Sequence, residues 1–207
     1  MQQCIRKETF INQILPQILI MYKILRNLWK SPEKSLMRDR LIEWRKDPVI
    51  LRIDKPTNIA SARSIGYKAK QGFIMVRVRV IRGGRMRPQI KKGRRSKAAR
   101  RKKIVGMSYQ WVAEQRAQKF YKNLEVLNSY KIGKDGRHYW FEVIMIDPEH
   151  PQIKSNKKLN MFGRKANKKR VTHGLTSAAK KSRGLSKKGK GTEKIRPSRG
   201  ANKGRSK

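Results

Sequence analysis

Acidic residues are scarce in this chain: 13 Asp and Glu stand against 55 Lys and Arg in 207 residues, a formal net charge of +42 at pH 7. A compact body so unbalanced repels itself, so its folded state calls for a polyanion. Nucleic acid meets that need, because each phosphate contact neutralises a charge and releases a condensed counterion. A membrane surface fits less well. It favours basic residues on one face of an amphipathic helix, whereas here they run through predicted strands, loops and tails.

A single cysteine, Cys4, excludes an internal disulfide and favours an intracellular location. It also cannot join a cysteine cluster, and His138, His150 and His173 lack metal-ligand spacing. No long hydrophobic run is present. The segment 10–25 (FINQILPQILIMYKIL) follows Arg6 and Lys7, but Asn12, Gln13, Pro16 and Gln17 interrupt it and no small-residue cleavage site follows. It is shorter than the roughly 20 apolar residues that span a bilayer. This segment therefore reads as an amphipathic segment or an extension in front of the true start. Large apolar side chains are also sparse after Gln152, where Leu159, Met161, Phe162, Leu175 and Leu185 stand almost alone. Such a tail is expected to order only on a partner.

The apolar residues that are present lie mostly in 21–150 and predict an α+β core with a small sheet. Met21, Ile24, Leu25 and Leu28 recur at helical spacing, giving a short helix to about Lys30. Ser31, Pro32 and Glu33 read as the start of a second helix, with Met37, Leu41 and Trp44 on one face and Asp47-Pro48 at its end. Val49–Ile53 is a short predicted strand, and 59–70 a helical turn leading to a loop. In the predicted strand Phe73–Arg82, Ile74, Val76, Val78 and Val80 alternate with Arg77 and Arg79. Same-face neighbours on a strand lie about 6.6–7 Å apart, close to the phosphate spacing of a nucleic acid backbone, so the arginine face suits RNA.

Residues 82–103 hold twelve Lys and Arg and no acid, which reads as a basic loop fixed by a polyanion. Ser108 can cap a helix with Ala113, Ala117, Phe120 and Leu124 on one face. Leu124–Ile132 and Arg137–Ile146 flank the turn Lys134-Asp135-Gly136, a hairpin signal. The second strand is apolar on both faces, so the sheet is expected to be covered on both sides. From Gln152 to Lys207 there are twenty Lys and Arg and one acid, Glu193, interleaved with glycines that allow close approach to a surface. This segment reads as a basic arm.

Catalysis finds little support. Gly83-Gly84 matches no phosphate-binding motif and reads as a turn. The one acid-rich patch, Glu142, Asp147, Glu149 and His150, is the place where a Mg²⁺-dependent nuclease centre would have to lie. On a strand Glu142 and Asp147 face opposite sides, so the patch reads as a turn-forming aspartate with exposed acids, open to pairing with local arginines. Trp29, Trp44, Trp111 and Trp140 fall on apolar faces and read as core. Tyr67 is a candidate either for stacking on an unstacked base or for core packing; Phe73 reads as core.

The stretches ARSIGYKAKQGFIMVRVRVIRGGR (62–85), GRRSKAARRK (93–102), WVAEQRAQKFYKNLEVLNSYKIGKDG (111–136), WFEVIMIDPEHPQI (140–153) and HGLTSAAKKSRGL (173–185) closely resemble the archaeal and eukaryotic large-subunit ribosomal protein fifteen family, of the e-type. The ending KGTEKIRPSRG (190–200) resembles the archaeal branch, and the resemblance covers about residues 21–207. It implies an α+β core with a mainly antiparallel sheet, embedded in large-subunit rRNA in cytoplasmic ribosomes beside neighbouring large-subunit proteins. It implies no catalytic residue, required cofactor or small-molecule substrate, and no membrane. Residues 1–20 have no counterpart in it.

Chemistry then selects the RNA-contacting candidates. They are Arg63, Tyr67, Lys68 and Lys70; Arg77, Arg79, Arg82, Arg85 and Arg87; Lys91, Lys92, Arg94, Arg95, Lys97, Arg100, Arg101, Lys102 and Lys103; and His173, Lys180, Lys181, Arg183, Lys187 and Lys188. Arginines would contact phosphates bidentately and lysines as point charges. The expected organisation is an extension over 1–20, a core over 21–150 with a basic loop at 82–106, and a basic extension over 151–207. A DNA-compacting protein is compatible with composition alone, but no helix-turn-helix or zinc motif is present. An RNA-processing enzyme would need clustered acids, and these are scattered.

Overall fold

The structure is a computed structural model that describes residues 20–86, 93, 102–103 and 106–186. It opens on helix α1 over residues 20–30, followed by α2 (Lys34–Lys46), β1 (Ile50–Ile53), α3 (Ile59–Ser64) and β2 (Phe73–Ile81). Two short strands, β3 (Arg85–Met86) and β4 (Lys102–Lys103), pair with each other. Then come α4 (Tyr109–Phe120), β5 (Glu125–Lys134), β6 (His138–Ile146), α5 (Pro151–Lys154), two short 3₁₀ turns and α6 (Ser177–Ser182). Strands β1, β2, β6 and β5 form one antiparallel sheet in that order.

Period-2 alternation in the two central strands fills both faces of this sheet. Val76, Val78 and Val80 of β2 and Phe141, Val143 and Met145 of β6 face α4, where Ala113 and Ala117 let the helix backbone approach closely. Met75, Trp140 and Ile144 face the other way, toward Trp44 of α2 and Ala62 of α3. The sheet is thus covered on both sides, as the apolar β6 foretold.

Local signals set the ends of the elements. Ser108 Oγ accepts the Trp111 N–H at 3.3 Å to cap α4, and Asn58 Oδ1 accepts the Ser61 N–H at 2.9 Å to cap α3. In the hairpin turn the Asp135 carboxylate accepts the N–H groups of Arg137 (2.7 Å) and His138 (2.5 Å). At the start of α2 the cap position is Glu33 rather than Ser31, without a side-chain cap. Instead the Ser35 hydroxyl donates to Glu33 at 2.5 Å.

Three further expectations are corrected. Phe120 is 64% exposed: it ends α4, beyond the sheet, and meets Tyr121 edge-on. Trp29 belongs to none of the buried clusters and lies under the guanidinium of Arg40, 5.5 Å from the ring centre. The segment after residue 150, expected to order only on a partner, packs on the body through residue 182. Ile153 and Phe162 are buried with Ile146, Val171 enters the cluster beneath α4, and Ala178 and Ala179 are buried. Few apolar residues suffice here, because each is placed against a ready-made sheet or helix face.

Candidate nucleic-acid interface

Three acids, Glu114, Glu125 and Glu142, are buried, while Glu33, Asp39, Glu43, Asp54 and Glu149 stay exposed. Glu142 is fully buried in the middle of β6, directly opposite Arg77 on β2 and Tyr130 on β5. Its carboxylate accepts hydrogen bonds from the Thr57 backbone N–H, the Thr57 hydroxyl and the Tyr130 hydroxyl, and lies 3.8 Å from the Arg77 guanidinium. Burial pushes its pKa up, against the pull of these donors and of Arg77. Glu114 of α4 is also fully buried; Ser129 donates to it at 2.5 Å and Thr176 at 2.6 Å, and burial likewise pushes its pKa up.

This geometry corrects two expectations. Glu142 is not an exposed acid; it is buried among Thr57, Tyr130 and Arg77. Arg77 does not present a free guanidinium either. It also reaches Asp47 (3.2 Å) and the Thr57 hydroxyl (3.2 Å), with its side chain only 14% exposed. Arg79 is half-buried and donates to the Arg45 carbonyl at 2.6 Å. The arginine face of β2 is therefore a side of the core, because α2 lies across it. Among the described residues no group of three or more His, Cys, Asp or Glu is placed to hold a metal ion. His150, the candidate partner of the acids, accepts the Gln152 N–H and caps α5.

Exposed cations are spread over the described surface, and those near the sequence-selected candidates lie in three places. The first is the last turn of α3 and the loop that follows it to β2, where Arg63, Lys68 and Lys70 are exposed. Tyr67 in this loop is half-buried and meets Phe73 edge-on, with ring centres 6.2 Å apart.

The second lies at the sheet end where the basic loop departs. The Arg82 guanidinium lies 5.0 Å from the Tyr139 ring centre and the Lys131 ammonium 4.8 Å. Tyr109 lies against Tyr139, 5.0 Å between centres, and its hydroxyl accepts the Gly83 N–H at 2.9 Å. Exposed Lys134 and Arg137 complete the group. Partial desolvation lowers the pKa of Lys131, helped by Lys134 and Arg82, so the site gains from an added anion. Sequence reading missed Lys131, Lys134 and Arg137, because cations spaced along a hairpin around Asp135 form no linear cluster.

The third is α6, which exposes Lys180 and Lys181 in its last turn beside exposed His173. Arg183 is partly withdrawn, donating to the carbonyls of His173 (3.4 Å) and Gly174 (3.1 Å). A cation that composition could not single out, Arg170 in the run Lys168-Lys169-Arg170, bonds the carbonyls of Val126, Leu127 and Leu175 and lies over Phe162. It is a structural clamp.

Of the remaining candidates, Arg85, Lys102 and Lys103 are placed only by their backbone pairing. Arg87, Lys91, Lys92, Arg94, Arg95, Lys97, Arg100, Arg101, Lys187 and Lys188 lie outside the described residues.

The sequence itself matches a known group of proteins. The model of the family described as Ribosomal L15, the L15e type, matches residues 20–202. The large ribosomal subunit protein eL15 of the archaeon Methanospirillum hungatei JF-1 is 47% identical over 192 residues, covering 90% of this chain and 98% of that protein. The family match and the relative agree with the resemblance carried by the motifs, and the chain belongs to the ribosomal L15e family.

Proposed function

We propose that this chain is a structural constituent of the large ribosomal subunit that binds large-subunit rRNA and stabilises its packing during assembly and translation. It works in cytoplasmic ribosomes and is not an enzyme. The observation that carries the reading is the sorting of charge. Glu114, Glu125 and Glu142 are consumed inside the fold, while Lys68, Lys70, Lys131, Lys134, Lys180 and Lys181 stay exposed at three separate places, the α3–β2 loop, the end of β5 and the end of α6. These lysines stand at well-separated points of a chain whose net charge is +42, which suits holding several phosphate backbones at once. Most contacts go to phosphate and sugar and fix position; shape, 2′-hydroxyls and unstacked bases supply selectivity.

Neighbouring large-subunit proteins are the second class of partner. Helix α1 exposes Ile20, Ile24 and Leu28 at four-residue spacing, a stripe with no use for phosphate.

The test is competition binding of the full-length protein to deproteinised large-subunit rRNA, with double-stranded DNA of equal phosphate content as competitor. Retention on the rRNA with a steep inverse dependence on salt supports the reading. Equal displacement by DNA would leave only a non-specific polycation.

A further inference from the structure

A cavity of about 590 Å³ opens between the Lys68–Gln71 loop and the segment from Gln152 to Leu159. This lies within the roughly 300–1,000 Å³ range of small-ligand sites. Its apolar wall is formed by Phe73, Ile153 and Leu159, and Lys68 and Lys70 stand at its rim. Gln71 and Gln152 adjoin on its lining, with Gln152 Nε2 3.5 Å from Gln71 Oε1. That separation is at the limit of a hydrogen bond, so both amides keep donors and acceptors for a guest. No carboxylate lines the cavity, whereas a second one of about 540 Å³ carries Glu125, Asp147 and Glu149.

The cavity is held open by the fold. Gly72 has φ +86°, and a Cβ there would lie 2.7 Å from Ile153 Cγ1, so the loop backbone is pressed on α5. The Asp147 N–H donates to the Gly72 carbonyl at 2.9 Å, and Tyr67 braces Phe73 edge-on from the core side.

A flat apolar wall, two amides with both donor and acceptor atoms, and two ammonium groups at the mouth match one chemical object: a nucleotide. The ring meets Phe73 and Leu159, the amides read the base edge, and the lysines meet the phosphate. We propose that this cavity takes up a single unstacked nucleotide of the rRNA that the protein binds, which makes Gln71 and Gln152 specificity-determining residues. This rests on the rRNA-binding reading and adds a base-reading site to an otherwise phosphate-directed surface.

The test is ultraviolet cross-linking of large subunits washed free of soluble nucleotide, followed by nuclease digestion and mass spectrometry of this chain. A nucleotide adduct is expected on the peptide spanning 68–73 or 152–159. Subunits carrying Gln71→Leu with Gln152→Leu should lose that adduct about tenfold while keeping adducts at Lys131–Arg137. Adducts elsewhere on the chain but none at the cavity would overturn the pocket and leave rRNA binding standing. No adduct anywhere would overturn both. An adduct formed only after radiolabelled adenosine triphosphate is added would assign the cavity to a free nucleotide and overturn the proposal.

Discussion

The Arg77 guanidinium lies 4.7 Å from the centre of the Trp44 ring, between helix α2 and the sheet, with Glu142 across the strand pair. A charge that the alternating pattern assigned to RNA is thus spent on holding α2 to the sheet. Removing Arg77 leaves the fully buried Glu142 without its cation, which typically costs about 3–5 kcal/mol. Arg77→Ala should therefore lower stability in urea unfolding at high ionic strength by roughly 3 kcal/mol. Any loss of RNA binding should track unfolding, and the salt slope of the folded fraction should be unchanged. The exposed pair Lys131 and Lys134 should behave in the opposite way. Their joint replacement by Ala should leave the urea midpoint nearly unchanged and reduce the slope of log K against log salt by about 2, since each lysine neutralises one phosphate.

The buried acids set a sign for pH dependence. Burial raises the pKa of Glu114, Glu125 and Glu142 from an ordinary value of 4.5, so over the window above it the folded state binds protons more tightly than the unfolded chain. Stability should fall as pH rises from that value toward each raised pKa, since the unfolded chain releases these protons while the folded form still holds them. Glu142→Gln removes one of these groups, so its stability should vary less with pH. Urea midpoints measured across this window check it; an identical pH dependence in the variant would contradict the assignment.

Two glycines separate contact from conformation. Gly72 (φ +86°) and Gly83 (φ +98°) both adopt backbone angles that L side chains rarely take. A Cβ at Gly72 meets Ile153, whereas at Gly83 nothing lies within 4 Å. Gly83→Ala should cost about 1 kcal/mol from the backbone alone. Gly72→Ala should cost more, about 2–4 kcal/mol, because overpacking against Ile153 adds to the strain. Thermal unfolding of the two variants in parallel gives the comparison.

Truncation separates the folded part of the basic extension from the remainder. Deleting 152–207 removes Val171 from the cluster beneath α4 and takes the Thr176 hydroxyl from buried Glu114. That chain should fail to give a cooperative unfolding transition. Deleting 187–207 removes nine Lys and Arg but none of these contacts, and should keep the transition while weakening rRNA binding. Equal stability of the two truncations would contradict the packing of 152–186.

Much of the architecture was legible because it rests on local rules. Ser108 as a cap, the Asp135 turn, the alternation in β2 and the doubly apolar β6 each act within a few residues, and each predicted its element. What escaped depended on contacts distant in sequence. The pattern of β2 shows that Arg77 and Arg79 share a face, but not that α2 lies over it. Composition marks 152–182 as basic and poor in apolar residues, but not that Phe162, Val171 and Ala179 each find a prepared site. The cluster of Arg82, Lys131, Lys134 and Arg137 exists only because the hairpin and the end of β2 meet. The L15e resemblance was legible for the reverse reason: long contiguous stretches carry it.

The most direct test of the central claim is sucrose-gradient sedimentation of a cell lysate at low and at high salt, following this chain by quantitative mass spectrometry. The account predicts one copy for each large subunit, retained in the subunit fraction at high salt. Release at moderate salt, or migration with chromatin, would contradict it.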